Sequence, residues 1–525
     1  MRPEESGAPP PRPSAVGRHP LGEILPLLGG ARVTGAALDD VTVGGATHDS
    51  RRVRPGDLYA ALPGARLHGA AFAAAAAAAG AVAVLTDPAG EPDALATGLP
   101  VLVVADPRAQ LGPVARWAYG APADDLLLIG VTGTNGKTTT AHLVEAGLRA
   151  AGHRTGLIGT VETRIADEVT PSVRTTPEAT DLQATFAVMR GQRVDAAVME
   201  VSSHALALRR VDGTRFAAAV FTNLSQDHLD FHRSMDDYFA AKARLFTPGF
   251  TSAAVVGVDD PAGARLAGSL RAEGELRVAT VSADGRGDAD WQATEVELAR
   301  TGSSFRLTGP GPAPGPGVDL RVRTWLAGGF NVTNATLALA ALATVGVPIE
   351  RARAGIAAMS GVPGRMERID EGQAFLALVD YAHTPVAVAR LLAAVRDVID
   401  GRIVVVLGCG GDRDRGKRPL MGAAAVAGAD LAVFTSDNPR SEDPGAIIDA
   451  MLVGAADRGR VHVEPDRRAA IGFAVAAAGP GDAVVVAGKG HETGQEFADR
   501  TDGFDDRAVL RAALASRCPT AGRAG

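Results

Sequence analysis

The stretch IGVTGTNGKTTTAHLVEAGLRAAG sets glycines at 130, 133 and 136 ahead of Lys137 and Thr138, then continues as a helical pattern. Strand, glycine loop and helix in that order make a phosphate site. Gly133 and Gly136 let backbone N–H groups turn inward around phosphate oxygens, and the helix N-terminus adds partial positive charge. Lys137 would reach the β- and γ-phosphates, and Thr138 would offer its hydroxyl to Mg²⁺. The common spacing G-x-x-x-x-G-K-[ST] is not met, because its first position is Val131. That departure points away from motor and GTPase families, toward a variant loop.

Two clusters downstream carry metal chemistry. VMEVSSHAL places Glu200 at a strand end, followed by Ser202, Ser203 and His204; VFTNLSQDHLDFH brings Asn223, Asp227, His228, Asp230 and His232. Carboxylate and water suit Mg²⁺, and histidine is a less usual ligand for it. Lys242, in YFAAKARLF, is harder to place. On composition alone it is a solvated helix residue, since an ammonium beside a metal would repel it. Only a chemically altered lysine could serve there, such as one capped by CO₂ to give an anionic carbamate. A third cluster, TSDNPRSEDP, sets Asp437, Asn438 and Arg440 around the rigid Pro439, just after the apolar run LAVF. Turn chemistry explains such a stretch in most proteins. The end of a buried parallel strand is also where α/β proteins place ligands.

The elements that must position these residues read as alternating β-type runs and Ala/Leu-rich helices. AVAVL, LPVLVVA, LLLIGVTG, AAVMEVS, AAAVFTN, IVVVLGCGG, LAVFTSD and AVVVAGKG are the clearest strands. That rhythm means βαβ units, mostly parallel sheets and an α/β fold. Boundaries are expected near Asp124 and within 361–364, where GVPGRMERI follows a helical stretch. They leave units at 19–124, 125–361 and 362–516, with a disordered tail over 1–18 and a short tail over 517–525. Residues 309–317, GPGPAPGPG, read as a flexible surface loop. GAAFAAAAAAAGAVAVLTD, interrupted by Gly80, reads as a helix over 69–79 followed by a strand, not as a membrane span.

The bulk numbers agree. A chain of 525 residues exceeds one core, and 46% hydrophobic with 22% charged residues is ordinary for a soluble protein. A net charge of -7 argues against nucleic acid as a partner. The two cysteines, Cys409 and Cys518, make neither a disulfide framework nor a zinc site, so a reducing cytoplasm is expected. Cys409 reads as a small core residue.

Taken together, GTNGKTT, MEVSSHAL, TNLSQDHLDFH, YFAAKARLF, GGFNVTNA and GRMERI, in this order, resemble the Mur ligases, the ATP-dependent amide-bond formers of peptidoglycan synthesis. The resemblance spans about His48 to Asp506. It implies an N-terminal UDP-binding domain, a central P-loop ATPase-like domain and a C-terminal Rossmann-like domain. It also implies nucleotide contacts from Thr134, Asn135, Thr139, Asn331, Asn334, Arg365, Asp380 and His383, beside the glycine loop itself. Lys242 would be carbamylated by CO₂ and, with Thr138, Glu200 and His228, would hold two Mg²⁺ ions.

Within the family, THDSRRVRPGDLYAALPGARLHG is similar to members acting on UDP-N-acetylmuramoyl-L-alanyl-D-glutamate, with Ser50 and the loop of Ala65, Arg66 and Leu67 on the UDP group. Thr175, Thr176, Ser202 and Arg210 match positions that hold the sugar-dipeptide. The D-N-P-R motif marks members that add diaminopimelate rather than lysine. Arg440 would grip the extra carboxylate, with Arg413, Asp437, Asn438, Pro439, Gly488 and Glu492 around the rest of the amino acid. A buried Arg440 left without that carboxylate would cost ~3–5 kcal/mol, enough to reject lysine. The implied partners are small molecules, with no nucleic acid and no membrane insertion, and the chain is expected to be a monomer. A ligase that adds another amino acid or extends folate with glutamate is the nearest rival. A non-catalytic nucleotide-binding scaffold is the rival from another class, and intact Lys137, Glu200 and Lys242 argue against it.

Overall fold

The computed structural model describes residues 10–14, 16–64, 66–285, 287–311 and 316–517. Its main sheets have five, eleven and six strands, in chain order. In the first, the strands run Arg32–Gly35, Pro100–Val103, Ala83–Thr86, Asp57–Ala60 and Gly45–Thr47 across the sheet. Only the first pair is antiparallel. The alanine-rich stretch forms a 3₁₀ turn, Gly69–Phe72, and then the helix Ala73–Ala78. Among the described residues no helix is long and apolar enough to cross a membrane.

The tail expectation needs correcting. Residues 1–9 and 518–525 lie outside the described residues, Cys518 among them, but residues 10–14 are anchored. Arg12 pairs with Asp57 at 2.6 Å, with both side chains almost wholly buried, and donates to the Arg52 carbonyl at 2.8 Å. Proline-rich composition argues against a packed core, yet one arginine with a buried carboxylate is enough to dock a segment. Composition does not reveal such a pair.

The second sheet carries the glycine loop at its centre. Strand Leu127–Thr132 lies between Ala196–Glu200 and Ala218–Phe221, parallel to both. Ala196–Glu200 is buried along its whole length, which accounts for its unbroken apolar run. Beyond Ala253–Gly257 and Arg277–Ser282 the sheet continues into Trp291–Ala299, Gly302–Gly309 and Val318–Thr324, with the middle one of these three antiparallel to both its neighbours. A hairpin, Glu162–Ile165 with Glu168–Pro171, closes the other edge. None of these antiparallel strands appears as an apolar run, because at least one face of each meets water, and Glu168–Pro171 is exposed throughout. The proline-rich loop joins Gly302–Gly309 to Val318–Thr324, and residues 312–315 lie outside the described part.

In the third sheet the order is Glu367–Arg368, Leu376–Asp380, Ala483–Ala487, Ile403–Leu407, Leu431–Phe434 and Val461–Val463. All but the first pair are parallel, so the loops after 380, 407, 434 and 487 open at one edge. Behind that edge Arg467, fully buried, pairs with Asp506 at 2.7 Å and donates to the carbonyls of Ser436 and Ala487. The units touch through polar contacts. His48 Nδ1 lies 2.9 Å from Thr180 Oγ1, Arg52 pairs with Asp181, and Arg365 Nη2 donates to Thr138 Oγ1 at 3.2 Å.

Candidate active site

The loop 133–136 leaves the central strand in a conformation only glycine tolerates at its two ends. Gly133 and Gly136 have φ of 145° and 87°, and a Cβ at either would lie 1.9 Å from Thr222 Oγ1 or 2.4 Å from Asn334 Oδ1. The neighbouring strand end pins the loop: Thr134 N donates to Asn223 O at 2.8 Å and Asn135 N to Asn223 Oδ1 at 3.1 Å. Thr134 Oγ1 also meets Tyr238 OH at 3.1 Å. Helix Lys137–Ala150 then starts with its N-terminus at the loop and Thr138 and Thr139 buried. Lys137 Nζ folds back onto the carbonyls of Gly133 and Thr134, at 3.0 and 2.9 Å.

Lys242 meets the same place. The helix Met235–Ala243 buries only Tyr238 and Lys242, one turn apart, and Lys242 Nζ donates to Gly133 O at 2.7 Å over the Tyr238 ring. Two lysines therefore share one carbonyl. Burial first, then the Lys137 charge, pushes the Lys242 amine well below its ordinary value. Burial also lowers Lys137, with Glu200 and Asp227 opposing. The solvated-lysine reading of 242 is thereby excluded.

Glu200 is fully buried and well bonded. Its Oε1 accepts from Thr160 N at 2.7 Å, and its Oε2 accepts from Thr138 Oγ1 at 3.1 Å and Thr160 Oγ1 at 3.0 Å. His228 has a left-handed backbone (φ 54°), and its Nε2 lies 3.3 Å from Asp227 Oδ2. Burial pushes it down to about 3, so the ring is a neutral donor of an electron pair at neutral pH. The remainder of that cluster does other work: Asn223 braces the loop, His232 bonds Ser203 Oγ at 2.9 Å, and Asp230 is exposed. Among the described residues no three His, Cys, Asp or Glu side chains gather as a metal site. Thr138, Glu200 and His228 are donors that fit Mg²⁺ whose remaining positions are filled by water and phosphate oxygens.

The expected nucleotide contacts divide into two groups. Asn334 borders Gly136, while Asn331 stands behind it, accepting from Asn334 Nδ2 at 3.0 Å and donating to Ala327 O at 2.8 Å. Arg365 reaches across from the third unit and lies over the Tyr381 ring at 4.3 Å. Asp380 receives the N–H groups of Met366 and Ala382, each at 2.7 Å, so it shapes the loop carrying Arg365 and His383. His383 Nε2 lies 3.9 Å from Asp227 Oδ2. Thr160, Tyr238, Tyr381 and His491 carried no expected role, although Tyr238 lies within YFAAKARLF.

His491 gives a pH prediction. Burial, then Arg365 and Arg507, holds its imidazole down at about 3. An unfolded histidine titrates near 6.5, so below that pH the unfolded chain takes up a proton that the folded one refuses. Stability is therefore lost as pH falls from about 6.5, by ~1.4 kcal/mol per pH unit once well below it. Between pH 7 and pH 5 the denaturation midpoint of His491→Asn is expected to fall less than that of the parent, by about 2 kcal/mol equivalent. Equal losses would show that another group governs the acid limb.

On the side facing the first unit, Thr175 Oγ1 meets Thr160 Oγ1 at 3.0 Å and Thr176 Oγ1 donates to Glu200 O at 2.9 Å. Ser202 caps the helix Ser203–Ala207, and Arg210 pairs with Glu178 at 2.9 Å while donating to Thr176 O. These four expected residues are thus coupled through Thr160, Glu178 and Glu200. Ser50 opens the short turn Ser50–Arg52 capped by Asp49, close to the His48–Thr180 contact. Arg66 and Leu67 are exposed, and Ala65 lies outside the described residues.

The loops of the third sheet meet as expected. Asn438 Nδ2 donates to Glu492 Oε2 at 2.8 Å. Lys489 Nζ, fully buried, donates to Asn438 Oδ1 at 2.9 Å and to Glu492 Oε2 at 3.0 Å. Gly488 backs onto Asp437, where a methyl would sit 2.7 Å from Oδ2. Burial alone would raise the Asp437 carboxyl, but Lys489, Arg467 and Arg440 outweigh it and hold it low; burial leaves Glu492 raised despite Lys489. Arg413 donates to Asp412 O at 3.1 Å, next to Gly410, whose added Cβ would meet both Arg413 and Arg440. Pro439 carries the chain into Arg440, which is left-handed at φ 52°. The argument from a buried, unpaired Arg440 must be corrected. Its side chain is 22% exposed and already holds a carboxylate, Glu496, at 2.6 Å. Lysine would therefore leave no orphaned buried charge, and its rejection cannot rest on the full penalty for breaking a buried pair.

Comparison with known proteins agrees with this geometry. Residues 42–119 match the Mur ligase family, catalytic domain, residues 131–342 the Mur ligase middle domain, and residues 364–490 the Mur ligase, glutamate ligase domain. The UDP-N-acetylmuramoyl-L-alanyl-D-glutamate--2,6-diaminopimelate ligase of Streptomyces coelicolor is 57% identical over 510 residues, 96% of this chain and 98% of that one. The enzyme of the same name from Corynebacterium glutamicum is 51% identical over 473 residues, 88% of this chain and 89% of the other. A solved structure of a ligase of that name superposes with a TM-score of 0.67 at 34% identity, covering 95% and 99% of the two chains. Mycobacterium tuberculosis folylpolyglutamate synthase with ADP and AMPPCP shares the fold, with a TM-score of 0.59 at 22% identity over 79% and 96% of the two chains.

Proposed function

The chain belongs to the Mur ligase family, and on that premise we propose that it joins 2,6-diaminopimelate to the D-glutamate γ-carboxylate of UDP-N-acetylmuramoyl-L-alanyl-D-glutamate. The reaction is ATP-dependent amide-bond formation in cytoplasmic peptidoglycan precursor synthesis, carried out by a monomer. One observation carries the placing of the amino-acid substrate, and the D-N-P-R loop supports diaminopimelate as that substrate. The strand ends of the third sheet bring two carboxylates, Asp437 and Glu492, and one guanidinium, Arg440, to a single mouth. That set complements ammonium and carboxylate groups of an amino acid, with Asn438 and Arg413 beside it.

ATP lies with its phosphates on the N–H groups of 133–138, and Asn334, Arg365 and His383 border it. The UDP group sits on the first unit around Ser50, and the dipeptide passes Thr175, Thr176, Ser202 and Arg210 toward Glu200. A γ-carboxylate oxygen attacks the γ-phosphorus as the bond to the ADP oxygen breaks. The diaminopimelate nitrogen then attacks the resulting acyl carbon, loses a proton, and expels phosphate from the tetrahedral adduct. The protein's share is positioning and charge neutralisation. Lys137 leaves the carbonyls of Gly133 and Thr134 to meet the transferred phosphoryl group. Thr138, Glu200, His228 and the Lys242 carbamate would hold Mg²⁺, which supplies charge neutralisation at the phosphates.

The test is phosphate release from ATP and UDP-N-acetylmuramoyl-L-alanyl-D-glutamate with Mg²⁺. Parallel reactions contain meso-diaminopimelate, LL-diaminopimelate, L-lysine or no amine. Release with one diaminopimelate isomer and little with lysine is expected. Release with lysine alone would assign Arg440 another task, and no amine-dependent release would return the chain to the rival ligases or the scaffold.

A further inference from the structure

The short hairpin of Gly494–Glu496 with Thr501–Gly503 follows the motif that supplies Glu492, and nothing in the reaction so far uses it. It is bonded almost residue by residue to the D-N-P-R loop. Gln495 Nε2 donates to Asp437 O at 2.8 Å, Glu496 N to Asn438 Oδ1 at 3.0 Å, and Arg440 N to Glu496 O at 3.0 Å. Arg440 also bridges to Phe497. The Glu496 carboxylate then takes Arg440 Nε, while Gly411 O takes Nη1 at 2.9 Å.

Left-handed backbone at a non-glycine residue persists only where its surroundings over-determine it, and Arg440 is held there by both backbone and side chain. An isolated pair as exposed as this one, with Glu496 50% accessible, would contribute little. Here the pair stands beside one backbone bond and two side chain–backbone bonds between the same two segments, so its partner is already ordered. A guanidinium has five N–H groups in a rigid fork. With Nε and one Nη1 hydrogen committed, the fork's orientation is set and the Nη2 side remains for a ligand carboxylate.

We propose that Glu496 is a positioning residue that determines amine specificity, by fixing the Arg440 fork so that its Nη2 side receives the far carboxylate of the incoming diamino acid. The inference rests on the diaminopimelate reading above and adds to it a residue outside the D-N-P-R motif.

Steady-state kinetics of Glu496→Ala, Glu496→Gln and the parent protein test it, with each substrate varied in turn. Glu496→Ala is expected to raise the KM for diaminopimelate about tenfold, the scale of one charge-assisted hydrogen bond. The KM values for ATP and the UDP-substrate, and the efficiency with L-lysine, stay within about twofold, so the preference over lysine narrows by the same factor. Glu496→Gln keeps an acceptor oxygen and is expected to restore most of the affinity. A lower KM for diaminopimelate in both variants would make Glu496 a competing anion and overturn the proposal. An unchanged KM, or a joint rise for all three substrates with a lower melting temperature, would overturn it too. A parent protein that turns over no diaminopimelate overturns the functional reading and this inference with it. Parent turnover with Glu496→Ala indistinguishable from it overturns the inference alone.

Discussion

Lys242→Ala is expected to lower turnover by about 10²–10³-fold, the loss seen when one preorganised electrostatic group is removed from a site of charge transfer. A small carboxylic acid such as formate or acetate should restore part of it. The side chain is 1% exposed, lies against an aromatic ring and donates to a carbonyl that Lys137 also uses. A charged ammonium is disfavoured there by desolvation and by its neighbour, which leaves the free amine. Only the free amine reacts with CO₂. Its lone pair forms the N–C bond, a proton departs, and a carbamate anion results. That product would put a negative charge in place of the neutral amine and would add an anionic oxygen to the set of Thr138, Glu200 and His228. ¹³C NMR of the protein in ¹³C-bicarbonate should show a carbamate signal that Lys242→Ala loses. Turnover independent of Lys242, or a variant that no carboxylic acid rescues and a parent without the signal, would remove the carbamate from the mechanism.

Lys137→Ala is expected to abolish measurable turnover, a loss of at least ~10³-fold, while leaving the fold intact. Both of its hydrogen bonds go to its own loop, to Gly133 and Thr134, so no other element depends on it. The loss should appear in kcat more than in nucleotide affinity, because the backbone N–H groups of 133–138 still hold the phosphates while the developing charge goes uncompensated. Circular dichroism and melting temperature close to the parent would establish that the effect is local. Activity within about tenfold of the parent would mean that another cation, with Arg365 the nearest candidate across the cleft, carries the phosphoryl group.

Much of the architecture is legible because its signals are local. Runs such as IVVVL and AVVVA are buried on both faces of a parallel sheet, and their periodicity carries that information without knowledge of partners. The antiparallel strands 291–299, 302–309 and 318–324 form no apolar run, because a half-wet strand alternates polar and apolar residues, as VDLRVRT does, and their signal is period two rather than continuous hydrophobicity. Lys242 carried a readable trace: Tyr238 and Lys242 share one face of a short helix, but a tyrosine and a lysine four residues apart are equally at home on a solvated face.

By itself the sequence determined the glycine loop, the strand–helix rhythm, the order of the chemical motifs and, through them, the family. Each is written in a contiguous stretch, where backbone preference and period decide the outcome. Tertiary structure alone decided which distant groups share a site. Lys242 meets Gly133, Arg365 meets Thr138, Lys489 sits between Asn438 and Glu492, and Arg440 is already paired with Glu496. Those pairings follow from strand order and from which face of each helix is buried. The same closures set the protonation and charge partners of the residues, since the energy of a charge depends on its surroundings in space rather than on its neighbours in the chain.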